Sequence, residues 1–317
     1  MTAVTVTREE LEQRIAEVCA RTRDPRAGIY GPGSISWKIN REGIIMLGGG
    51  RAALLQLAHP YVAYAVDQHS QTKRDPVGRF QRTFGHVFAM VFGDLDHAVE
   101  SARRVYRVHT RIKGPIREDV GPFASGHRYH ANDPEALFWV HATLVDTAVM
   151  LYELGVRPLS AEEKARYYEE SRLFAGLFGI PERVMPQSWP AFERYMRDML
   201  ASETITVSRP ALELRHFLLQ PMRPSVTPAM AWYRVLTAGL LPPRLREQLE
   251  LPFGARERAI FEGSLPLLRA GYRATPRRLR YFPDYVEAKR RLAGRPAHDP
   301  FGRALEKIAL RAIEPAR

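Results

Sequence analysis

A single cysteine, Cys19, in 317 residues excludes a disulfide framework within one chain and any four-cysteine zinc or iron–sulfur site. The chain also lacks Gly-x-Ser-x-Gly, a Walker A sequence, His-Glu-x-x-His and Cys-x-x-Cys-His. A nucleophile elbow, a phosphate-cradling loop, a zincin site and covalent haem attachment therefore have no residues to build them. Paired Glu-x-x-His motifs, which a di-iron helical bundle needs, are absent too. No stretch reads as a signal-peptide core, and none approaches a membrane span in length, so a cytoplasmic location is expected. There is no alternation of strand and helix patterns, no internal repeat and no Pro/Gly/Ser linker. A single all-α domain over residues 1–317, with about eleven helices, is the expectation.

Positive charge is plentiful. The 47 Lys and Arg outnumber the 35 Asp and Glu by twelve, and eight of those twelve charges come from residues 269–317, where thirteen Lys/Arg meet five Asp/Glu. Groups such as Arg277-Arg278-Leu279-Arg280 and Lys289-Arg290-Arg291 suit anionic lipid or RNA, although a solvated helical face explains them more simply. No RRM, KH, zinc-finger or helix-turn-helix signature accompanies them. Nucleic acid is not an expected partner, and peripheral membrane contact through this basic part stays open.

Helix starts are marked by local chemistry. Thr7 to Glu10 and Ser160 to Glu163 are capping boxes, Asp94 and Asp133-Pro134 are N-cap signals, and Asp75-Pro76 predicts a helix from Pro76 to about Phe92. His59-Pro60 ends one helix and begins the next, which suits a capping histidine as well as a ligand. The helix opened by Asp94 is expected to reach Lys113, with Gly114-Pro115 stopping it. Trp37 is a candidate anchor for the ordered loop before it. Gly48, Gly50 and Ala53 match a dinucleotide fingerprint locally, with Asp67 where a ribose acid would sit, but no strand precedes or follows. The glycines, Gly49 among them, fit close helix packing or close approach of backbone to a flat ligand.

Residues 48–92 hold the densest chemistry. On the predicted helix from Pro76, Phe80, Phe84, Val87, Phe88 and Val91 share an apolar arc, while Arg79, Arg82, Thr83 and His86 share another. A helix this aromatic is expected to be buried, so its polar arc needs an internal partner. On the next helix His109 shares a face with Ala98, Ala102, Val105 and Ile112, and the two alanines leave a shallow hollow. A packed histidine bonded to a carbonyl explains His109 from spacing alone, as does a ligand. His141 lies in a stripe of Leu137, Val140, Leu144, Val145 and Ala148 and is expected to be buried. Phe174, Leu177, Phe178, Phe192, Met196, Met199, Phe217 and Leu218 would wall an apolar pocket or fill a core.

The run from Leu47 through Gly48-Gly49-Gly50-Arg51 to His59-Pro60, then Asp67-Gln68-His69, Arg79-x-x-Arg82-Thr83, Val108-His109 and Tyr129 to Leu144, resembles the catalytic domain shared by rubber oxygenases and the ER-bound oxygenase of mycophenolic acid biosynthesis. The matching core runs from about residue 37 to 153, with a helical continuation over 154–317. The resemblance implies a globin-like helical core around non-covalent haem b, dioxygen as co-substrate and an apolar, isoprenoid- or lipid-like small-molecule substrate. It implies His109 as the iron ligand, with His59 and His141 as less favoured rivals, His141 and Gly49 beside the cofactor, and Arg79, Arg82 and Thr83 on its distal side. Arg82 stands where the rubber enzymes carry lysine, and arginine neither sheds its proton nor binds iron. Those enzymes also use a distal glutamate, whereas residues 60–66 contain no acid, leaving Asp67 and His69 as the nearest substitutes. A non-catalytic haem or apolar-ligand binder and a basic membrane-surface protein are the alternative readings.

Overall fold

In a computed structural model, which describes residues 4–70, 76–220 and 226–313, the chain is predominantly helical. The N-terminal half comprises α1 (Arg8–Arg21), α2 (Ile35–Asn40), α3 (Gly49–Leu57), α4 (Pro60–His69), α5 (Pro76–Phe92) and α6 (Leu95–His109). A two-stranded antiparallel ribbon follows, β1 (Lys113–Pro115) and β2 (Arg128–His130), paired Lys113↔His130, Gly114↔Tyr129 and Pro115↔Arg128. Then come α7 (Pro134–Gly155), α8 (Ala161–Gly176), α9 (Trp189–Ala201), α10 (Arg209–Leu219) and α11 (Thr227–Leu240). The C-terminal part is α12 (Pro243–Gln248), α13 (Ala255–Ala274), α14 (Arg277–Arg280), α15 (Pro283–Leu292) and α16 (Pro300–Ile313). Sixteen α-helices among the described residues exceed the expected eleven, because segments as short as α2, α12 and α14 carry no readable periodicity.

The expected caps are present. Thr7 Oγ1 accepts from Glu10 N while the Glu10 carboxylate accepts from Thr7 N, and Ser160 and Glu163 repeat that exchange. Asp94 accepts from His97 N, and Asp133 from the amides of Glu135 and Ala136. Each satisfies amides that the first helical turn leaves open. The N-cap expected at Asp75 lies outside the described residues.

α7 is the post around which the others pack. It touches α2, α3, α8 and α13, and its side chains are buried all round the helix, including Leu137, Phe138, Trp139, Val145 and Leu151. A helix of 22 residues with a mean hydropathy of 1.2 over its most apolar window is long and apolar enough to cross a membrane, which corrects the expectation that no such run exists. Two-thirds of that window is buried inside the fold, as a central helix of a large core requires. Trp37 is the anchor expected of it: it is 1% exposed, donates Nε1–H to Val91 O at 2.9 Å and contacts Phe92 and Tyr285. Gly48 and Gly50 serve close packing. A Cβ on Gly48 would collide with Thr147 and Leu151 of α7, and one on Gly50 would lie 2.6 Å from Thr237 Oγ1 of α11.

α6 ends at His109, not near Lys113. The Ile112 carbonyl accepts from Ala131 N and residues 113–115 join the ribbon, so backbone groups that a longer helix would use are taken by a partner from far along the chain. The basic C-terminal part is more than a solvated face. Arg269 and Arg273 donate to the carbonyls of Leu154 and Val156 at the end of α7, and Arg291 donates to Phe92 O at the end of α5 at 2.6 Å. These guanidinium groups meet unpaired carbonyls at the negative ends of helix dipoles.

Candidate functional site

α5 and α6 form an antiparallel hairpin, turned at Gly93-Asp94. Gly93 is required there because a Cβ would strike Ala89 O. Across the hairpin His86 Nδ1 meets Ser101 Oγ at 3.2 Å. Eight residues further toward the open end, about 12 Å along each helix, that contact brings His109 level with the Gly78–Arg79 backbone. The side chains of Arg79 and Arg82 lie outside the described residues. Thr83 is exposed, so this part of the polar arc faces outward rather than toward an internal partner.

His109 is part-buried, and burial pushes its pKa down to about 4. The neighbouring Asn132 side chain favours the protonated ring, while nearby His130 opposes it. At neutral pH the ring is therefore a neutral imidazole, which donates one N–H toward Asn132 and carries its lone pair on the other nitrogen. Eight of the ten histidines have a ring nitrogen engaged elsewhere by a hydrogen bond or an ion pair. His59, for example, caps Tyr61 N through Nδ1 at 3.2 Å, in the capping role its place before Pro60 suggests. Of the other two, His109 has the Asn132 side chain as its hydrogen-bond partner, and His141 has none among the described residues. The Ala98–Ala102 hollow on α6 is filled: both alanines lie in the packed core at 0% and 1% exposure.

His141, on α7, is 4% exposed, with the Phe174 ring stacked at 5.8 Å and Phe138 at 6.0 Å. Neither of its ring nitrogens has a hydrogen-bond partner among the described residues, so the structural hydrogen bond that would explain a buried histidine is missing. Burial holds its pKa at about 4.

Asp67 and His69 gather at the ribbon. His69 Nε2 lies 3.1 Å from Lys113 O, and the Asp67 charge adds to burial in pushing Tyr129 up to about 12. Lys113, whose carbonyl meets His69, pairs in the ribbon with His130, whose charge opposes protonation of His109. Gly49 is elsewhere, beside α11, with Tyr233 OH 3.6 Å from where its Cβ would be. The expected pocket-wall residues Phe174, Leu177, Phe192 and Met196 are buried in the main core, with Phe178, Met199 and Leu218 packed against it. Cys19 lies on α1 opposite α6. It faces Leu95 and Val99 of α6 across a surface groove of about 530 Å³, and burial raises its thiol pKa.

One feature escaped sequence reasoning. Arg51, 3% exposed, bonds Asp146 Oδ2 at 2.6 Å, Thr147 Oγ1 at 2.5 Å and Leu240 O at 2.9 Å, tying α3 to α7 and α11. The signal was a lone arginine between glycines and an apolar run.

A family model describing the catalytic domain of ER-bound oxygenase mpaB/B' and rubber oxygenase matches residues 37–270. The chain belongs to that oxygenase family. The match reaches from Trp37 into α13, well past the motifs that end near residue 153. Two relatives, uncharacterized protein Mb2261 of Mycobacterium bovis and uncharacterized protein Rv2237 of Mycobacterium tuberculosis, are each 25% identical over 240 residues. In both cases the alignment covers 71% of this chain and 88% of the relative. No solved structure matches the chain significantly. Oxygenase-family membership supports an oxidoreductase that acts on a small molecule with dioxygen.

Proposed function

We propose that the protein is a cytoplasmic haem b oxygenase with His109 as its iron ligand, acting on an apolar, isoprenoid- or lipid-like substrate. The carrying observation is the state of His109: a part-buried imidazole that burial keeps neutral, with the Asn132 side chain as its one hydrogen-bond partner among the described residues, on the helix that pairs with α5. Among the described residues no group of three or more His, Cys, Asp or Glu could hold a bare ion. A porphyrin brings four donors of its own and asks the protein for one imidazole, so this donor set fits haem. The globin-like arrangement belongs to the same proposal.

When bound, haem supplies the oxygen chemistry. The chain's residues have separate tasks. His109 offers its lone pair while Asn132, beside the ring, orients the imidazole. Arg82, which keeps its charge, would pair with a propionate or orient dioxygen rather than exchange a proton, and Arg79 would act on the same distal or propionate side. Asp67 and His69, held near the ribbon, would stand in for the family's distal acid as proton acceptors.

Protein purified from haem-sufficient cells is expected to be red and to yield extractable haem b. His109→Ala should abolish the Soret band or leave one that added imidazole restores, and His141→Ala should keep it. The orphaned nitrogens of His141 favour a second reading with that ring as the ligand. A normal histidine-ligated spectrum in the His109 variant would establish the rival, and colourless protein that takes up no hemin would remove both in favour of an apolar-ligand binder.

A further inference from the structure

α16 lies beyond the residues that the family model matches, and its amphipathic faces are reversed. On a helix, residues three, four and seven apart share a face. Phe301, Ala304, Leu305 and Ile308 form such a row, with Arg303 and Glu306 on the far side. A surface helix ordinarily turns its apolar row to the core. Here the charged side is turned inward. Arg303 bonds Glu287 Oε2 at 2.6 Å and Asp284 Oδ1 at 3.0 Å on α15, and holds Glu306 at 2.9 Å. Asp299, just before the helix and 3% exposed, donates its amide to Glu287 at 3.0 Å. The apolar row is left outside: Phe301 is 40% exposed, Leu305 39% and Ile308 64%, and Ala304 is exposed as well.

The patch continues onto α14, where Leu279 is 52% exposed and the Arg278 guanidinium lies 4.5 Å from the Phe301 ring centroid. Its border is cationic, with Arg277, Arg278, Lys307 and Arg311 all exposed. The neighbouring acids Asp284, Glu287 and Glu306 are all bonded to Arg303.

We propose that this face docks the protein on a bilayer that carries anionic lipid, with Phe301, Leu305, Ile308 and Leu279 in the acyl boundary and the basic border among the headgroups. Apolar side chains flanked by Arg and Lys on a helix lying in the interface plane are the arrangement that binds such surfaces. The charge border argues against a second copy as occupant. A two-fold contact would press this cationic rim against itself, in a chain already at +12. The proposal is independent of haem binding.

The test is co-sedimentation of the full chain with vesicles of phosphatidylcholine alone and of phosphatidylcholine with phosphatidylserine. The mixed vesicles should carry the protein down, far more than the neutral ones, and added salt should weaken binding. L305S/I308S, which changes only exposed side chains, should lower the partition coefficient by at least about tenfold at an unchanged Tm. Ile308→Trp supplies a second measurement: the emission it adds should shift to the blue and be quenched by brominated lipid. Binding to neither vesicle, full retention by L305S/I308S, or an unshifted emission from the Ile308→Trp protein would overturn the proposal. So would concentration-dependent dimerisation that L305S/I308S abolishes in the absence of vesicle binding.

Discussion

Replacing His141 by phenylalanine should remove a defined part of the protein's sensitivity to acid. The ring is 4% exposed, lies between Phe138 and Phe174, and has no partner for either nitrogen among the described residues. Burial lowers its pKa from 6.5 to about 4. Between those values the unfolded chain binds the proton and the folded chain does not. Stability contributed by the neutral ring is therefore present above pH 6.5, falls as pH drops through the window and levels off below about pH 4. A shift of this size corresponds to about 3 kcal/mol in full, with about 2 kcal/mol of it gone by pH 5. His59 is equally buried and similarly shifted, but its substitution would also delete the cap on Tyr61, so His141 is the cleaner probe. Urea unfolding at pH 7 and pH 5 should show the loss between the two pH values shrinking by about 2 kcal/mol in His141→Phe. The variant should be no less stable at pH 7, because phenylalanine leaves no buried nitrogen unpaired. Parallel pH profiles for the two proteins would refute the reasoning. Loss of bound haem at pH 7 in this variant alone would show that His141 holds the iron instead.

Arg51→Met should cost about 3–5 kcal/mol in urea unfolding by stranding Asp146, with R51M/D146N recovering part of the loss; additive losses would exclude that coupling. Gly48→Ala should cost about 1–3 kcal/mol through collision with Thr147 and Leu151. Gly49→Ala, with open space beyond Tyr233 OH, should be neutral or stabilise by up to about 1 kcal/mol. A stable Gly49→Ala protein that loses haem absorbance would place the cofactor against that backbone. Arg303→Ala should speed hydrogen exchange in α16 while leaving the amides of α7 protected, and uniform acceleration would mean that α16 supports the whole fold.

Helix starts were legible because caps are made by neighbours in sequence: Thr7 with Glu10, Asp94 with His97, Asp133 with Ala136. Helix ends were not. α6 stops at His109 because the Ile112 carbonyl is claimed by Ala131, a pairing that no window around residue 112 contains. α7 defeats composition differently. Its length and apolarity suit a bilayer and a protein core equally, and only the packing of α2, α3, α8 and α13 around it decides. Arg51 was invisible as a structural residue because its partners lie about a hundred residues away and more.

The candidate site divides along the same line. Sequence names the groups able to ligate iron or move protons, but whether a histidine is available depends on what its nitrogens already bond. His59, His69 and His109 sit in equally suggestive motifs. The fold assigns the first to a helix cap and the second to a ribbon carbonyl, and leaves the third neutral, between the Asn132 side chain that favours its protonation and His130 that opposes it. The basic C-terminus obeys the same rule in reverse. Its charge count suggests one electrostatic surface, yet Arg269, Arg273 and Arg291 end on helix carbonyls and Arg303 ends on α15 carboxylates. Among the described residues, Arg277, Arg278, Lys307 and Arg311 are exposed and border the exposed apolar row of α16. Neutralising Lys307 and Arg311 should therefore weaken vesicle binding, whereas Arg269→Gln should lower stability and leave it unchanged.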